Sequence, residues 1–585
     1  MIKRIYKEVS EMSKEYLYFS VFIIIIKSIY PIILVLFPKI IIESITSGIS
    51  YKSIIPIISI ILIKFVSTSV IKILENKLLF IGTELNQKFE TKILKKLMTV
   101  DYETLENPQI LDMKDEALEG ISISEGSSIS IYNEKFIEII SSIISIVGVA
   151  YIITKISAIY LIVLIIILTL DFVIEKIIAD FEMKNWSKWI PINRQFRMVY
   201  DLMYNFKNGP DIRMFSAEDF FTRKVNSANK NMYEVMSDEA RTVSRYGIFT
   251  AILESLKIFV IGYLAIDGLF KKILSIADFG AYLVAVNVFI DSVKSITHAV
   301  VDINKLSRYM KSYFTFLDLD TSKKKIEERT VLNKDDKVSK IEFKNVYFKY
   351  PSMDEYTLLD INFKIEENEK ISLVGLNGAG KSTIIKLLTG LYKPTKGEIL
   401  IDGVSTVNYN KDDLFKKFAA VFQDFNIFPL SVAENISMNG ARDESKIEEL
   451  LYKTDLLKRV KSLEYGLDEN LYRAYDSSST DLSMGQKQKI ALARALYSDR
   501  EFLLLDEPTA SVDVYTELNF YKNLEQFAKD KTSIFISHRL ISSKFCDRII
   551  VLENGKIIES GSFEDLLKED SRFKEMFQMQ REKFI

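Results

Sequence analysis

The sequence is poor in the residues that build covalent cross-links and transition-metal sites. It contains one cysteine, Cys546, so an internal disulfide is impossible and a cysteine-rich metal site cannot form. His298 and His538 are the only two histidines among 585 residues, which nearly excludes a histidine metal site. The net charge is −2, from 77 basic and 79 acidic residues, and this balance gives no reason to expect a nucleic-acid partner.

Hydrophobic residues, 48 % of the chain, are distributed unevenly. The first half is dense in isoleucine, with runs at 22–26 and 165–167, whereas the second half resembles a soluble α/β protein. The N-terminus has the basic-then-apolar order of a signal peptide, but it has no small-residue cleavage site. Its apolar run continues to Ile42, which favours a retained membrane helix.

Apolar stretches long enough to cross a bilayer, about 20 residues each, recur in the first half. They lie near 17–42, 53–74, 131–154, 156–178, 247–270 and 277–300. Lys3, Arg4 and Lys7 precede the first span and indicate a cytoplasmic N-terminus, although the charge bias is weak elsewhere. The sequence therefore predicts an all-α transmembrane domain of six helices over residues 1–317, in a cell membrane.

Two polar segments separate span two from span three and span four from span five. The first breaks at Asn107-Pro108, and the second contains Gly209-Pro210. Both have the pattern of long helices that project into the cytoplasm and are joined by short turns. Two solvated loops are the alternative, but the matched positions of the segments favour paired extensions that touch the second half.

The second half begins after a charged stretch that is typical of a linker, predicted at residues 318–337. The segment from Ile341 to Tyr350 then alternates like a strand, and strands and helices follow each other to the end. This order predicts an α/β domain with a partly parallel sheet over residues 338–585.

The sequence from Gly375 to Ser382 follows one predicted strand and opens a helix, as a phosphate-binding loop must. Its glycines let backbone N–H groups close around phosphates, and the helix N-terminus favours the anion. Lys381 is expected to reach the β- and γ-phosphates of ATP, and Ser382 to ligate Mg²⁺. The predicted nucleotide-binding residues are Tyr350, Gly375, Asn377, Gly378, Gly380, Lys381, Ser382 and Thr383.

Two further apolar strands end in chemically useful side chains. The strand from Phe502 ends in Asp506, a predicted Mg²⁺ ligand, and Glu507 follows it in position to polarise an attacking water. His538 ends another apolar strand and is predicted to contact the γ-phosphate, although a lone histidine is more often structural. Gln423, in the string AVFQDF, is a weaker candidate as catalytic residue and Mg²⁺ ligand.

Taken together, these strings resemble the ATP-binding cassette (ABC) family, and the arrangement of the chain resembles its exporter-type (type IV) half-transporters. The resemblance covers essentially the whole chain. It implies that Tyr350 stacks on adenine, with a core aromatic as the alternative, and that Gln423 couples Mg²⁺ to the membrane domain. It also implies that Glu507 is the catalytic base, that His538 senses the γ-phosphate, and that Asp513 sits at a dimer seam.

The family signature LSGGQ reads LSMGQ here, from Leu482 to Gln486. The resemblance implies that Ser483, Gly485 and Gln486 contact ATP held by the opposite subunit. Glycine permits close backbone approach to phosphate, so the side chain of Met484 must point away or weaken that contact. In heterodimeric exporters of this family the subunit with the intact glutamate often carries the altered signature. The partner is therefore either a second copy or a different half-transporter.

The resemblance implies an ATP-driven exporter in a bacterial cytoplasmic membrane, with the second half in the cytoplasm. An importer with the same fold and an ATP-gated channel or regulator are the alternatives. Ionisable residues within the spans include Glu254 with Lys257 and Asp291 with Lys294, which either satisfy each other on one helix face or contact substrate. Mixed charge favours a peptide or an amphipathic small molecule as substrate.

Overall fold

The computed structural model describes residues 1–46, 51–121, 128–156, 158–319, 341–351, 353–438, 442–472, 479–508, 528, 530–568 and 570–582. The chain forms two compact units. The first comprises Met1–Met98 and Asp112–Asp318, and the second comprises Thr99–Leu111 and Leu319–Ile585. The predicted linker lies outside the described residues from position 320 onward.

Helices account for the regular structure that is described in residues 1–319. They are α1 (Ile2–Met12), α2 (Lys14–Thr46), α3 (Tyr51–Thr99), α4 (Tyr102–Leu105), α5 (Pro108–Ile121), α6 (Ser128–Ile156), α7 (Ala158–Tyr204), α8 (Gly209–Met214), α9 (Glu218–Phe270) and α10 (Ile276–Leu317), with a 3₁₀ turn at Phe206–Asn208. The break at Asn107-Pro108 lies between α4 and α5, and Gly209-Pro210 begins the short helix α8.

Membrane-length helices dominate the first unit. Among the described residues, α2, α3, α6, α9 and α10 are long and apolar enough to cross a bilayer. The predicted span at 156–178 falls largely within α7, some of whose side chains lie outside the described part. These helices support the prediction of a helical membrane region.

The core of the first unit forms where α10 packs against α2 and α6, and α7 packs against α9. Gly280 allows α10 to approach α2 closely, because a Cβ at this position would lie 3.1 Å from the Cβ of Pro38. Between α2 and α6 the packing is partly polar, since the Asn133 amide donates a 2.8 Å hydrogen bond to the Ser20 hydroxyl. Both kinds of contact are typical of helices that pack within a bilayer.

Two sheets form the frame of the second unit. Their strands are β1 (Ile341–Phe348), β2 (Leu358–Ile365), β3 (Lys370–Gly375), β4 (Lys396–Ile401), β5 (Val404–Ser405), β6 (Phe418–Val421), β7 (Phe502–Asp506), β8 (Thr532–Ile536), β9 (Arg548–Glu553) and β10 (Lys556–Gly561). The antiparallel sheet has the order β2-β1-β4-β5, and the larger sheet has the order β10-β9-β3-β8-β7-β6. In the larger sheet all neighbours are parallel except β9 and β10, which confirms the predicted α/β domain with a partly parallel sheet.

The described helices of the second unit flank these sheets. They are α11 (Lys381–Leu388), α12 (Lys411–Phe415), α13 (Val432–Ser437), α14 (Glu444–Lys453), α15 (Leu457–Lys461), α16 (Met484–Tyr497), α17 (Phe563–Lys568) and α18 (Arg572–Glu582), with 3₁₀ turns at Thr406–Asn408, Gly466–Asp468 and Leu540–Phe545. Strands β7 and β8 are buried along their whole length, so they read as continuous apolar runs. Parallel strands place their carboxyl ends at one edge of a sheet, and this edge carries the candidate site.

The segment Thr99–Leu111 belongs to the second unit because polar contacts fix it there. The ammonium groups of Lys411 and Lys393 lie 2.6 Å and 3.4 Å from the buried carboxylate of Asp101. The hydroxyl of Tyr392 donates to the Glu106 carboxylate at 2.5 Å. Burial and the neighbouring Glu106 charge raise the pKa of Tyr392, so its hydroxyl remains a donor at physiological pH.

Replacing Tyr392 with phenylalanine removes the hydroxyl and keeps the buried ring. We expect residues 99–111 to exchange amide hydrogens about tenfold faster in this variant, since a hydrogen bond to a charged group contributes about 1.5–3 kcal/mol. Hydrogen exchange followed by mass spectrometry measures this. Tyr409→Phe is the matched control, because the hydroxyl of Tyr409 donates to the carbonyl of Ile401 elsewhere in the unit. Equal exchange in the segment for both variants contradicts the assignment.

Candidate active site

The loop between β3 and α11 has the backbone conformation of a phosphate cradle. Gly375, Gly378 and Gly380 adopt φ angles of 151°, 82° and 101°, a region that residues with a side chain rarely occupy. At Gly375 a Cβ atom would also lie 2.2 Å from the carbonyl oxygen of Leu552. Gly380 is the N-cap of α11, so the loop leads directly into the N-terminus of that helix.

Lys381 is the first residue of α11, and its ammonium folds back into the loop. The ammonium donates to the carbonyl oxygens of Gly375 at 2.9 Å and Leu376 at 3.0 Å. Burial lowers the pKa of Lys381, and the negative charges of Glu507 and Asp506 partly offset this effect. The loop therefore holds a buried cation beside the backbone N–H groups that would face a phosphate.

Asp506 lies at the carboxyl end of β7, and it is 2 % exposed. Burial raises the pKa of its carboxyl to about 6, and a hydrogen bond from the Ser382 hydroxyl partly opposes this shift. The Oδ1 atom has no hydrogen-bond partner among the residues that the structure describes. A buried carboxylate with an unsatisfied oxygen beside a hydroxyl is a donor set that fits a hard divalent cation such as Mg²⁺.

Glu507 follows β7 in a left-handed backbone conformation, with φ of 52°. Its N–H donates to the carbonyl of Ile536 at 2.9 Å, and its own carbonyl accepts from the amide of Gln488 at 2.8 Å. These bonds fix a conformation that is uncommon for a residue with a side chain. The carboxylate lies 2.5 Å from Nε2 of His538, so two residues predicted separately from the sequence meet in the fold.

Lys381, Glu507 and His538 line a cavity of about 770 Å³, a size that suits a nucleotide, whereas Gly375 and Asp506 are not among its lining residues. Of the predicted residues, the cavity brings together Tyr350, Asn377, Gly378, Gly380, Lys381, Ser382, Thr383, Gln423, Glu507 and His538. The Tyr350 hydroxyl is 3.0 Å from the Thr383 hydroxyl, and its ring packs edge-on against Tyr392. The hydroxyl and the ring of the predicted stacking residue are thus each held by a neighbour that sets its orientation.

Some cavity residues were missed by the sequence reasoning. Asn554 and Gly555 line the cavity from the turn between β9 and β10. Their Asn-Gly order is a hairpin signal that could have located the turn, although not its proximity to the site. Gln488, which holds the Glu507 carbonyl, lies on α16 without a motif to mark it. Its role follows only from the packing of α16 near β7.

The predicted signature residues do not line this cavity. Ser483 is the N-cap of α16 and forms a capping box with Gln486, each side chain bonding the other residue's backbone N–H. Met484 begins the helix, and its side chain is 61 % exposed. The methionine is therefore exposed on the surface of its own subunit. The predicted seam residue Asp513 lies outside the described residues.

Comparisons with known proteins relate this chain to ATP-binding transport proteins. Residues 358–510 match the ABC transporter family model. The chain is 27 % identical over 500 residues to the subtilin transport ATP-binding protein SpaT of Bacillus subtilis, covering 84 % of this chain and 79 % of that protein. It is 38 % identical over 213 residues to an LcnC-like lactococcin transport/processing ATP-binding protein of Lactococcus lactis, covering 36 % and 29 %.

The fold match extends along the whole chain. A bacterial Atm1-family ABC exporter solved with ATP bound superposes with a TM-score of 0.83 at 20 % identity, covering 97 % of this chain and 98 % of that one. An ATP-dependent lipid A-core flippase of Burkholderia pseudomallei is 34 % identical over 212 residues, covering 36 % of this chain and 35 % of the flippase. Residues 358–510 therefore form an ABC transporter ATPase domain, and the chain has the fold of the Atm1-family exporter.

Proposed function

We propose that this chain is one half of a dimeric exporter that moves a peptide or an amphipathic small molecule across the bacterial cytoplasmic membrane. One observation carries the proposal: a chain whose glycine loop, Glu507 and His538 line one cavity also has the exporter fold over 97 % of its length. Export is supported by relatives that are named for the transport of subtilin and of lactococcin and for the flipping of lipid A core. Mixed charge among the membrane-length helices supports a polar or amphipathic substrate.

The binding of ATP is assigned to the loop and to Tyr350. The adenine base would stack on the Tyr350 ring, whose position is fixed by its contact with Thr383. The glycine-rich backbone, including Asn377 and Gly378, would surround the phosphates. Lys381 would place its ammonium between the β- and γ-phosphates, exchanging the loop carbonyls for phosphate oxygens. This exchange favours binding because the ammonium is already desolvated and oriented.

Hydrolysis is assigned to the pair of Glu507 and His538. A water oxygen forms a bond to the γ-phosphorus, the bond from that phosphorus to the bridging oxygen breaks, and ADP leaves with the electron pair. Glu507 orients the water and accepts its proton, while His538 holds the carboxylate at 2.5 Å and contacts the γ-phosphate. The backbone bonds of Glu507 to Ile536 and Gln488 keep this carboxylate in place.

A Mg²⁺ ion would be held by Ser382, Asp506 and Gln423. Bound there with ATP, it would neutralise charge on the β- and γ-phosphates. Asp506 supplies an ionised oxygen from a buried strand end, and Ser382 orients that carboxylate through a hydrogen bond. Gln423 follows β6 and reaches the same cavity. Gln423 would couple binding of Mg²⁺ to the segment that follows it in the chain.

A second half-transporter would complete each ATP site. Ser483, Gly485 and Gln486 lie outside the cavity of their own subunit, so they are free to contact ATP in a partner, with Asp513 at the seam. The exposed side chain of Met484 would then lie at the partner's nucleotide. ATP binding would close the two cassettes and turn the membrane units outward, and hydrolysis would reset them. The partner is a second copy or a different chain.

Replacing Glu507 with glutamine is expected to lower ATPase turnover by at least about 100-fold while ATP still binds, since the proton acceptor is lost. Glu501→Gln is the matched control, because that exposed carboxylate only pairs with Lys417. Release of a fluorescent amphipathic peptide from whole cells, together with its ATP-dependent uptake by inside-out vesicles, should disappear in Glu507→Gln alone. Uptake by whole cells would show an importer, and conductance that persists in Glu507→Gln with ATP would show a channel.

The raised pKa of Asp506 predicts a pH-dependent demand for Mg²⁺. Protons compete with the cation for this carboxylate once the pH falls toward about 6, the pKa of its carboxyl in the structure. We therefore expect the Mg²⁺ concentration for half-maximal ATPase to rise several-fold between pH 7.5 and about pH 5.5. Titration at saturating ATP measures it, with Asp499→Asn as the matched control because Asp499 is ion-paired outside the cavity. A constant Mg²⁺ requirement contradicts the assignment.

Met484→Gly tests the assignment of the signature to a partner's site. Removing the side chain should allow closer approach of the helix start to phosphate, so we expect turnover per dimer to rise several-fold. Met484→Ala, which keeps a Cβ, should give a smaller rise. The chain purified with its natural partner supplies the enzyme, and identifying that partner separates a homodimer from a heterodimer. No change in turnover for either variant would show that Met484 lies away from ATP.

A further inference from the structure

Helix α10 carries exposed polar residues on a helix that is otherwise largely buried in the first unit. Asn287, Asp291 and His298 are exposed, while their neighbours Phe289, Ile290 and Ser292 are buried. Spacings of four and seven residues place the three side chains on one face of the helix. We call Asn287, Asp291 and His298 the polar stripe.

The basic side chains near the polar stripe contact carboxylates other than that of Asp291. Lys294 forms an ion pair with Glu254 of α9, and Lys257, only 1 % exposed, lies 3.3 Å from the same Glu254 oxygen. His298 lies 3.7 Å from Glu175 of α7. The structure thus pairs Lys294 across helices rather than with Asp291, which the sequence had left as an alternative.

Asp291 differs from these residues in the contacts of its charged group. Its carboxylate makes no hydrogen bond or ion pair with any other residue in the described part of the chain. It lies roughly 22 Å along the helix axis from Ile276, at 1.5 Å per residue, and so within the span predicted at 277–300. A carboxylate at this depth that faced lipid would cost several kcal/mol. An exposed, unpaired one therefore faces either a water-filled pathway or another subunit.

We propose that Asp291 binds a cationic group of the transported substrate, an amine or a guanidinium, in the aqueous pathway of the membrane unit. The inference rests on the proposed export function and specifies its substrate class. Lys257 and Lys294 both contact Glu254, so Asp291 is the carboxylate of the polar stripe without a partner among the described residues. An opposite charge within about 4 Å of the carboxylate is attracted more strongly in a protein-lined pathway than in bulk water, because the effective dielectric constant is lower there. Amphipathic molecules that carry a cation are therefore preferred over neutral or anionic ones.

The first arm of the test examines the stripe without a transported substrate. Asn287→Cys, in a Cys546→Ser background that leaves no other thiol, is reconstituted in nanodiscs without nucleotide. It is treated with membrane-impermeant cationic and anionic thiosulfonate reagents. We expect modification within minutes, with the cationic reagent reacting faster. Adding Asp291→Asn should lower this cation preference several-fold, whereas Asp267→Asn should not, because Asp267 is ion-paired with Lys271.

The second arm uses one amphipathic peptide in two forms, with its lysines free or acetylated, so that only charge differs. Stimulation of ATPase activity is measured in the wild type, Asp291→Asn and Asp267→Asn. We expect Asp291→Asn to raise the half-maximal concentration of the free-lysine peptide about tenfold, the equivalent of about 1.4 kcal/mol. The half-maximal concentration of the acetylated peptide should not change in Asp291→Asn, and Asp267→Asn should leave both peptides' values unchanged.

The results of the two arms distinguish the proposed binding site at Asp291 from the proposed export of peptides. No modification of Asn287→Cys, or a cation preference that does not depend on Asp291, overturns the binding site and places the stripe at a subunit contact. Equal weakening of both peptides by Asp291→Asn also overturns it, as a structural effect. A cation preference that depends on Asp291, together with no stimulation by either peptide, supports the site and refutes peptide export.

Discussion

The position of two carboxylates at the end of one buried strand is the constraint on which the ATP site depends. Strand β7 carries Asp506 and Glu507 to the edge where β3 delivers the glycine loop and Lys381. Burial raises the pKa of Asp506 and lowers that of Lys381, so both charged states are costly without partners. A triphosphate with a divalent cation would supply opposite charges to both, so these two residues favour the binding of ATP.

Much of this site could be predicted from the sequence because its parts are local. The loop from Gly375 to Ser382 and the strand that ends in Asp506 can each be recognised from the residues around them. The parallel order of the strands then brings their carboxyl ends together. The pairing of Glu507 with His538 was not predictable, since it depends on the left-handed backbone at Glu507. Gln488 was missed because its contact arises from helix packing, which leaves no pattern in the sequence.

In the membrane unit, the helices could be predicted from the sequence, but the pairing of charged side chains could not. Long apolar helices could be predicted from composition, as hydrocarbon requires every backbone group to be satisfied within a helix. Which charged residues pair could not be predicted, because spacing along α10 allowed Lys294 to pair with Asp291, whereas its partner in the structure, Glu254, lies on α9. Only packing between α9 and α10 resolved that choice, and it left Asp291 without a partner among the described residues. The cationic group inferred for the substrate follows from the absence of a partner for Asp291 among the described residues.

The central claim is that ATP occupancy controls access to the membrane pathway. The most direct measurement is the rate at which Asn287→Cys, on a cysteine-free Glu507→Gln protein, reacts with an impermeant thiol reagent applied from the cytoplasmic side. The account predicts rapid reaction without nucleotide and at least about tenfold protection when ATP and Mg²⁺ are bound, because the pathway has turned outward. Identical rates in both states would contradict coupling between the ATP site and the pathway.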